Sequence, residues 1–131
     1  MTMQTSPDQL VGILRDTIVT LVRQDGPDLS ARQLGVLLTV YLTPGPHTVR
    51  GLAQELNVSK PAITRALDRL GELDLARRKL DMMDRRSVLV QRTLKGTSFL
   101  SELRRTMSES DGTVMPMPPE MAEAGEYAPA S

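Results

Sequence analysis

The chain has 131 residues with sixteen basic and sixteen acidic side chains, a net charge of zero, no cysteine and a single histidine, His47. This is one domain's worth of sequence, long enough for a core without disulfides; the missing cysteines exclude thiol nucleophiles and thiolate zinc sites, and one histidine argues against a metal cluster or a serine–histidine triad. No apolar run approaches the roughly 20 residues of a membrane span, and the start MTMQTSPDQL lacks the form of a signal peptide, so a cytoplasmic protein without membrane association is expected.

Ser6, Pro7 and Gln9 predict a helix start, with serine as N-cap, proline in the first turn and glutamine reaching back as a capping box. The helix should run to about Gln24, with Leu10, Val11, Leu14, Ile18, Leu21 and Val22 on one broad stripe, until DGPD at 25 to 28 stops it. Ser30 and Gln33 form a second box, opening an apolar helix through Leu34, Leu37, Leu38 and Tyr41 that ends at TPGP, 43 to 46. Thr48 caps a short helix, VRGLAQEL, leaving His47 as an exposed loop residue or a neighbour of phosphate. Asn57 then occupies a turn position that needs left-handed backbone geometry, which asparagine tolerates. A helix follows from Ser59 to Leu73, with Ile63, Ala66, Leu67 and Leu70 at helical spacing.

Beyond Leu73 the period changes. LARRKL (75 to 80) and SVLVQRTL (87 to 94) read as two strands, and the loop between them, DMMDRR, should project as a flap. Thr93 caps a last helix bearing Phe99, Leu100, Leu103 and Met107, expected to give out near Met107 or Ser110. From Ser108 the composition turns to proline, methionine, alanine and acid, which is expected to form no regular structure. The fold class is therefore mainly α with a small β-hairpin wing: a winged helix-turn-helix.

Charge is unevenly placed. Residues 50 to 95 hold eleven Arg and Lys against six acids, while residues 106 to 131 hold five acids and no base. The helix over 59–73 also carries a polar face that packing does not require. Its N-terminus, with unpaired N–H groups and a positive dipole end, suits phosphate, and Pro61 gives up only a donor that belongs to the first turn. Ser59 can cap or bind phosphate, Lys60 neutralises backbone charge, and Thr64, Arg65 and Arg69 lie along the face that would enter a major groove, where arginine reads guanine. Thr48, Arg50, Arg77, Arg78, Asp84, Arg85 and Arg86 complete the candidate set for double-stranded DNA. Arg69 could instead pair with Asp68 or Glu72, and Arg77, Arg78 and Lys79 could be a solvated strand edge.

Residues 30 to 100 resemble the MarR family of winged-helix transcription regulators, through TVRGLAQELNVSKPAITRALDRL and above all through the wing DMMDRRSVLVQRTLKG. The resemblance implies a homodimer, a repressor, that sets two recognition helices in successive major grooves and the wing arginines in flanking minor grooves. It also implies that Asp84 holds Arg86 by an ion pair, and that a small organic effector binds between the dimer core and the DNA lobes. Residues 1–28 and 96–110 would then supply dimerisation, 29–95 the DNA-binding region, and 111–131 an acidic tail. The chain departs from the family pattern at Asp74, where glycine is usual, in its shortened last helix and in its scarcity of aromatic residues. No cofactor and no enzymatic activity are expected. The alternative is a winged-helix protein-interaction module with no operator of its own, favoured by the zero net charge and the acidic tail.

Overall fold

In a computed structural model, which describes residues 6–113, both capping boxes form. Ser6 Oγ accepts the Gln9 N–H at 3.2 Å while Gln9 Oε1 accepts the Ser6 N–H at 2.8 Å, opening α1 (Pro7–Arg23). Ser30 and Gln33 repeat the exchange at 3.1 and 2.9 Å to open α2 (Ala31–Leu42). Thr48 Oγ1 accepts the Gly51 N–H at 2.9 Å to start α3 (Val49–Leu56), which ends on Asn57 at φ 56°. Ser59 Oγ accepts the Ala62 N–H at 3.2 Å to start α4 (Lys60–Glu72). Asp74 takes the left-handed geometry, φ 57°, that turns the chain out of α4, at a position where aspartate is tolerated better than most side chains.

The sheet differs from expectation. Besides β2 (Ala76–Leu80) and β3 (Val88–Arg92), a two-residue strand β1 (His47–Thr48) pairs antiparallel with β3, setting His47 opposite Val90 and Thr48 opposite Leu89. The order is β1-β3-β2, so the wing grows from three strands and not from an isolated hairpin. His47 is accordingly half-buried, with Nε2 3.1 Å from the Thr43 carbonyl oxygen, and is not the exposed loop residue its neighbours implied. The last helix, α5 (Leu94–Thr113), continues past the end expected near Met107 or Ser110. Residues 114–131, the greater part of the predicted tail, lie outside the described residues.

The core is built from one face each of α2, α3 and α4. Val36, Leu37, Val40, Leu52, Ile63, Leu67 and Leu70 are fully buried, and Leu75, Val90 and Leu100 close the layer against the sheet and α5. Truncating any of the leucines to alanine should cost about 2–5 kcal/mol.

α1 lies off this core, packed on α5. It buries Ile13 and Thr17, and Asp16 Oδ2 accepts a 2.8 Å hydrogen bond from Ser110 Oγ. That bond, with a further one from Arg15, holds the Asp16 carboxyl below the usual carboxylate range. The predicted stripe on α1 turns outward: Leu10 and Leu14 are 56% and 57% exposed, and Val11, Ile18 and Val22 stand beside them. Among the described residues no helix is long and apolar enough to cross a membrane.

Candidate nucleic-acid interface

α4 sinks Ala62, Ile63, Ala66, Leu67 and Leu70 into the core, which leaves Thr64, Arg65, Asp68 and Arg69 on its outer side. Its first turn stands over an open cleft of about 600 Å³. One wall is the β1–α3 junction with Thr48, Val49 and Arg50; another is the start of α4 with Lys60 and Thr64; the third is the descending side of the wing, Asp84 and Arg86 to Val88. Six of the sequence-predicted residues, Thr48, Arg50, Lys60, Thr64, Asp84 and Arg86, thus converge although they come from three separate segments. Val49, Ser87 and Val88 line the cleft as well; small or aliphatic, they carry no signal in the sequence alone.

Two of the predicted hydroxyls are committed to backbone. Thr48 and Ser59 each hold the N–H of a first helical turn, so they fix how α3 and α4 start. Pro61 is exposed at the N-terminal turn of α4.

Ion pairing divides the arginines. Arg69 pairs with Glu72 at 3.3 Å, Arg77 with Asp74 at 3.1 Å, and Arg78 with Asp68 across from β2 to α4. Arg50, Lys60, Arg65, Arg85 and Arg86 have no carboxylate partner among the described residues. Of these five, Arg50, Lys60 and Arg86 line the cleft, and Arg85 precedes Arg86 in the wing loop. Arg92, one of the basic residues of the 50–95 block, turns inward: Nε donates to the Val40 carbonyl at 2.8 Å and Nη2 to that of Thr43 at 3.2 Å, satisfying the end of α2.

The expected ion pair between Asp84 and Arg86 does not form. Asp84 Oδ1 accepts the backbone N–H of Arg86 at 3.1 Å, and Oδ2 accepts the Ser87 hydroxyl at 3.4 Å. An aspartate at the start of a tight turn finds an N–H two residues on more readily than a long, solvated guanidinium. Asp81 repeats the device by accepting the Met83 N–H at 2.9 Å, and the Ser87 carbonyl accepts the Asp81 N–H at 3.0 Å. The two acids therefore shape the loop, and the Arg86 side chain is left free. At the tip, Met82 and Met83 are 73% and 95% exposed.

Residues 28–87 match the MarR family model. No curated protein sequence matches the chain. Among solved structures, a transcriptional regulator of Thermotoga maritima superposes with a TM-score of 0.69 at 19% identity, over 89% of this chain and 80% of that one. MarR itself gives 0.60 at 26% identity, over 82% and 78%. S. aureus MepR, solved in complex with DNA, gives 0.64 at 18% identity, over 90% and 86%. Five helices and a small three-stranded antiparallel sheet are the architecture of winged-helix MarR structures.

Proposed function

We propose that this MarR-like winged helix is a sequence-specific regulator of transcription that binds double-stranded DNA as a cytoplasmic homodimer and represses. The observation that carries the reading is the cleft at the start of α4, lined by Arg50, Lys60 and Arg86, none of which forms an ion pair, while the carboxylate of the lining, Asp84, is taken up by the Arg86 N–H and the Ser87 hydroxyl. Phosphates of one strand fit there, held by Lys60, Arg50 and the N-terminal dipole of α4. That docking carries Thr64 and Arg65 into the major groove, with Arg65 as the base reader and Arg69 secondary because Glu72 already holds it. Arg86, on a turn ordered by Asp84, reaches the adjoining minor groove, with Arg85 on the phosphates at its edge. Arg77 and Arg78, each paired, serve mainly to set the wing against α4.

The outward stripe of α1, with Met107 on α5, supports a dimer formed by residues 1–28 and 96–110. An open cavity of about 420 Å³ where α4 ends, walled by Pro27, Leu73, Leu75 and Phe99 with Gln24, Lys95, Ser98 and Glu102 around them, is the candidate site for a small organic effector. The rival, a protein-interaction module, would need an acidic partner to meet Arg50, Lys60 and Arg86 at the cleft. Selection of bound duplexes from a random pool, with sedimentation of the free protein, tests the proposal. A defined palindromic site and a dimer are expected. Failure to retain any duplex at about 50 mM salt would turn the reading to the rival module.

A further inference from the structure

We infer that Tyr41, in the middle of the protein, is a positioning residue for the DNA-reading wing. The inference rests on the DNA-binding reading above. The Tyr41 hydroxyl donates to the Leu75 carbonyl at 2.6 Å and accepts the Thr93 N–H at 2.9 Å. Leu75 is the residue before β2 and Thr93 the residue after β3, so one phenolic oxygen on α2 fastens both roots of the wing hairpin. Thr93 reinforces the junction, since its Oγ1 donates to the Asp74 carbonyl at 2.6 Å and accepts the Gly96 N–H at 2.9 Å, tying the exit of α4 to the first turn of α5. The ring is itself held: the Arg92 guanidinium lies over it, 5.8 Å from its centre, while bonding the end of α2. At Gly96 a Cβ would fall 1.7 Å from the Tyr41 hydroxyl oxygen and 2.4 Å from the Leu75 carbonyl, so only glycine lets α5 start this close.

The lever explains why a root matters to a tip. Strands of five residues each are about 17 Å long at 3.4 Å per residue, so a rotation of about 5° at the root moves Arg86 by about 1.5 Å, enough to break a hydrogen bond to a groove edge. Tyr41→Phe keeps the ring and its packing but takes the shared oxygen from Leu75 and Thr93. Its expected effect is therefore on the wing and its minor-groove contact. The recognition helix should be spared, because Ser59 and the core leucines hold α4 independently.

The test uses full-length wild type, Tyr41→Phe, Arg86→Ala and the double variant, titrated onto one duplex with A·T-rich flanks and one with G·C-rich flanks. Tyr41→Phe should raise Kd roughly tenfold on the A·T-flanked site and no more than two- to threefold on the other, and should add little once Arg86 is gone. Equal losses on both duplexes, or a full additional loss in the Arg86→Ala background, would overturn the positioning role, as would a lowered melting temperature with unchanged flank preference. Amide exchange of the free wild-type protein provides a readout that needs neither a folded variant nor DNA. The Thr93 amide should be protected like the core of α2, and exchange as fast as at the wing tip would refute the clamp. Wild type binding no duplex would instead sink the DNA-binding reading, with the exchange result still deciding the clamp.

Discussion

Replacing Lys60 by alanine should change how DNA affinity depends on salt by an amount that can be worked out beforehand. Of the five candidate DNA-binding cations that have no carboxylate partner, Arg65 and Arg86 are assigned to bases, which leaves Arg50, Lys60 and Arg85 on phosphates in each protomer of the proposed dimer. Two protomers neutralising three phosphates each give a slope of log K against log salt of about −5, or roughly a thousandfold loss between about 50 and 200 mM. Lys60→Ala removes one phosphate contact per protomer and should flatten the slope by about 1.8. Arg77→Ala is the control: its guanidinium already pairs with the Asp74 carboxylate at 3.1 Å, the pair is neutral overall, and the slope should move by less than about 0.5. Fluorescence anisotropy titrations at four or more salt concentrations measure both. If Arg77→Ala flattens the slope as much as Lys60→Ala, internal pairing does not withdraw arginines from the interface, and the division of the cations is wrong.

Arg65→Ala should relax discrimination at particular base pairs, costing about 1–3 kcal/mol on the cognate site and little on random duplex; equal losses on both would move Arg65 to the backbone. Asp84→Asn, which keeps an acceptor for the Arg86 and Ser87 donors, should bind DNA like wild type, whereas Asp84→Ala should weaken binding about five- to tenfold by loosening the turn. Matching losses for the two in the same titration would restore a charge-pairing role. The Asp16 carboxyl is lowered in the folded protein, so the stability it supplies is present above its unfolded value of about 3.9 and lost as pH falls through the folded one. Melting curves of wild type should drop below about pH 4, and Ser110→Ala should blunt that drop; parallel profiles would remove the bond between α1 and α5 from the account.

The helices were legible because their signals are local. Two serine–glutamine boxes, Thr48, Ser59 with Pro61, and the left-handed Asn57 each act within a few residues, and each formed as read. β1 was not legible, since two residues show no period and pair only once β3 exists. The candidate site could be drawn from composition, but its pairing could not. That Asp68 would reach Arg78 depends on β2 folding back beside α4, a distance along the chain that no spacing rule spans. The resemblance carried Asp84 to the wrong partner because it specifies residues and not which of their atoms meet. Tyr41 looked like one more apolar contact on a buried helix, and nothing in its surroundings in the sequence marks a hydroxyl that serves residues from two distant segments.

The hydrogen bond between Asp16 and Ser110 joins residues 94 positions apart, and with it the packing of α1 on α5 joins the two ends of the described fold. On a ribosome adding about 5–20 residues per second, α1 emerges about 5–20 s before the helix that covers Ile13 and Thr17. The winged-helix lobe between them has all its strands and core leucines by Leu100 and can close meanwhile. The nascent protein therefore closes its winged-helix lobe before the later turns of α5 are there for its first helix to pack on. During that interval Leu10, Ile13, Leu14 and Ile18 together are bait for chaperones, for neighbouring chains on the same message, or for the α1 of another copy.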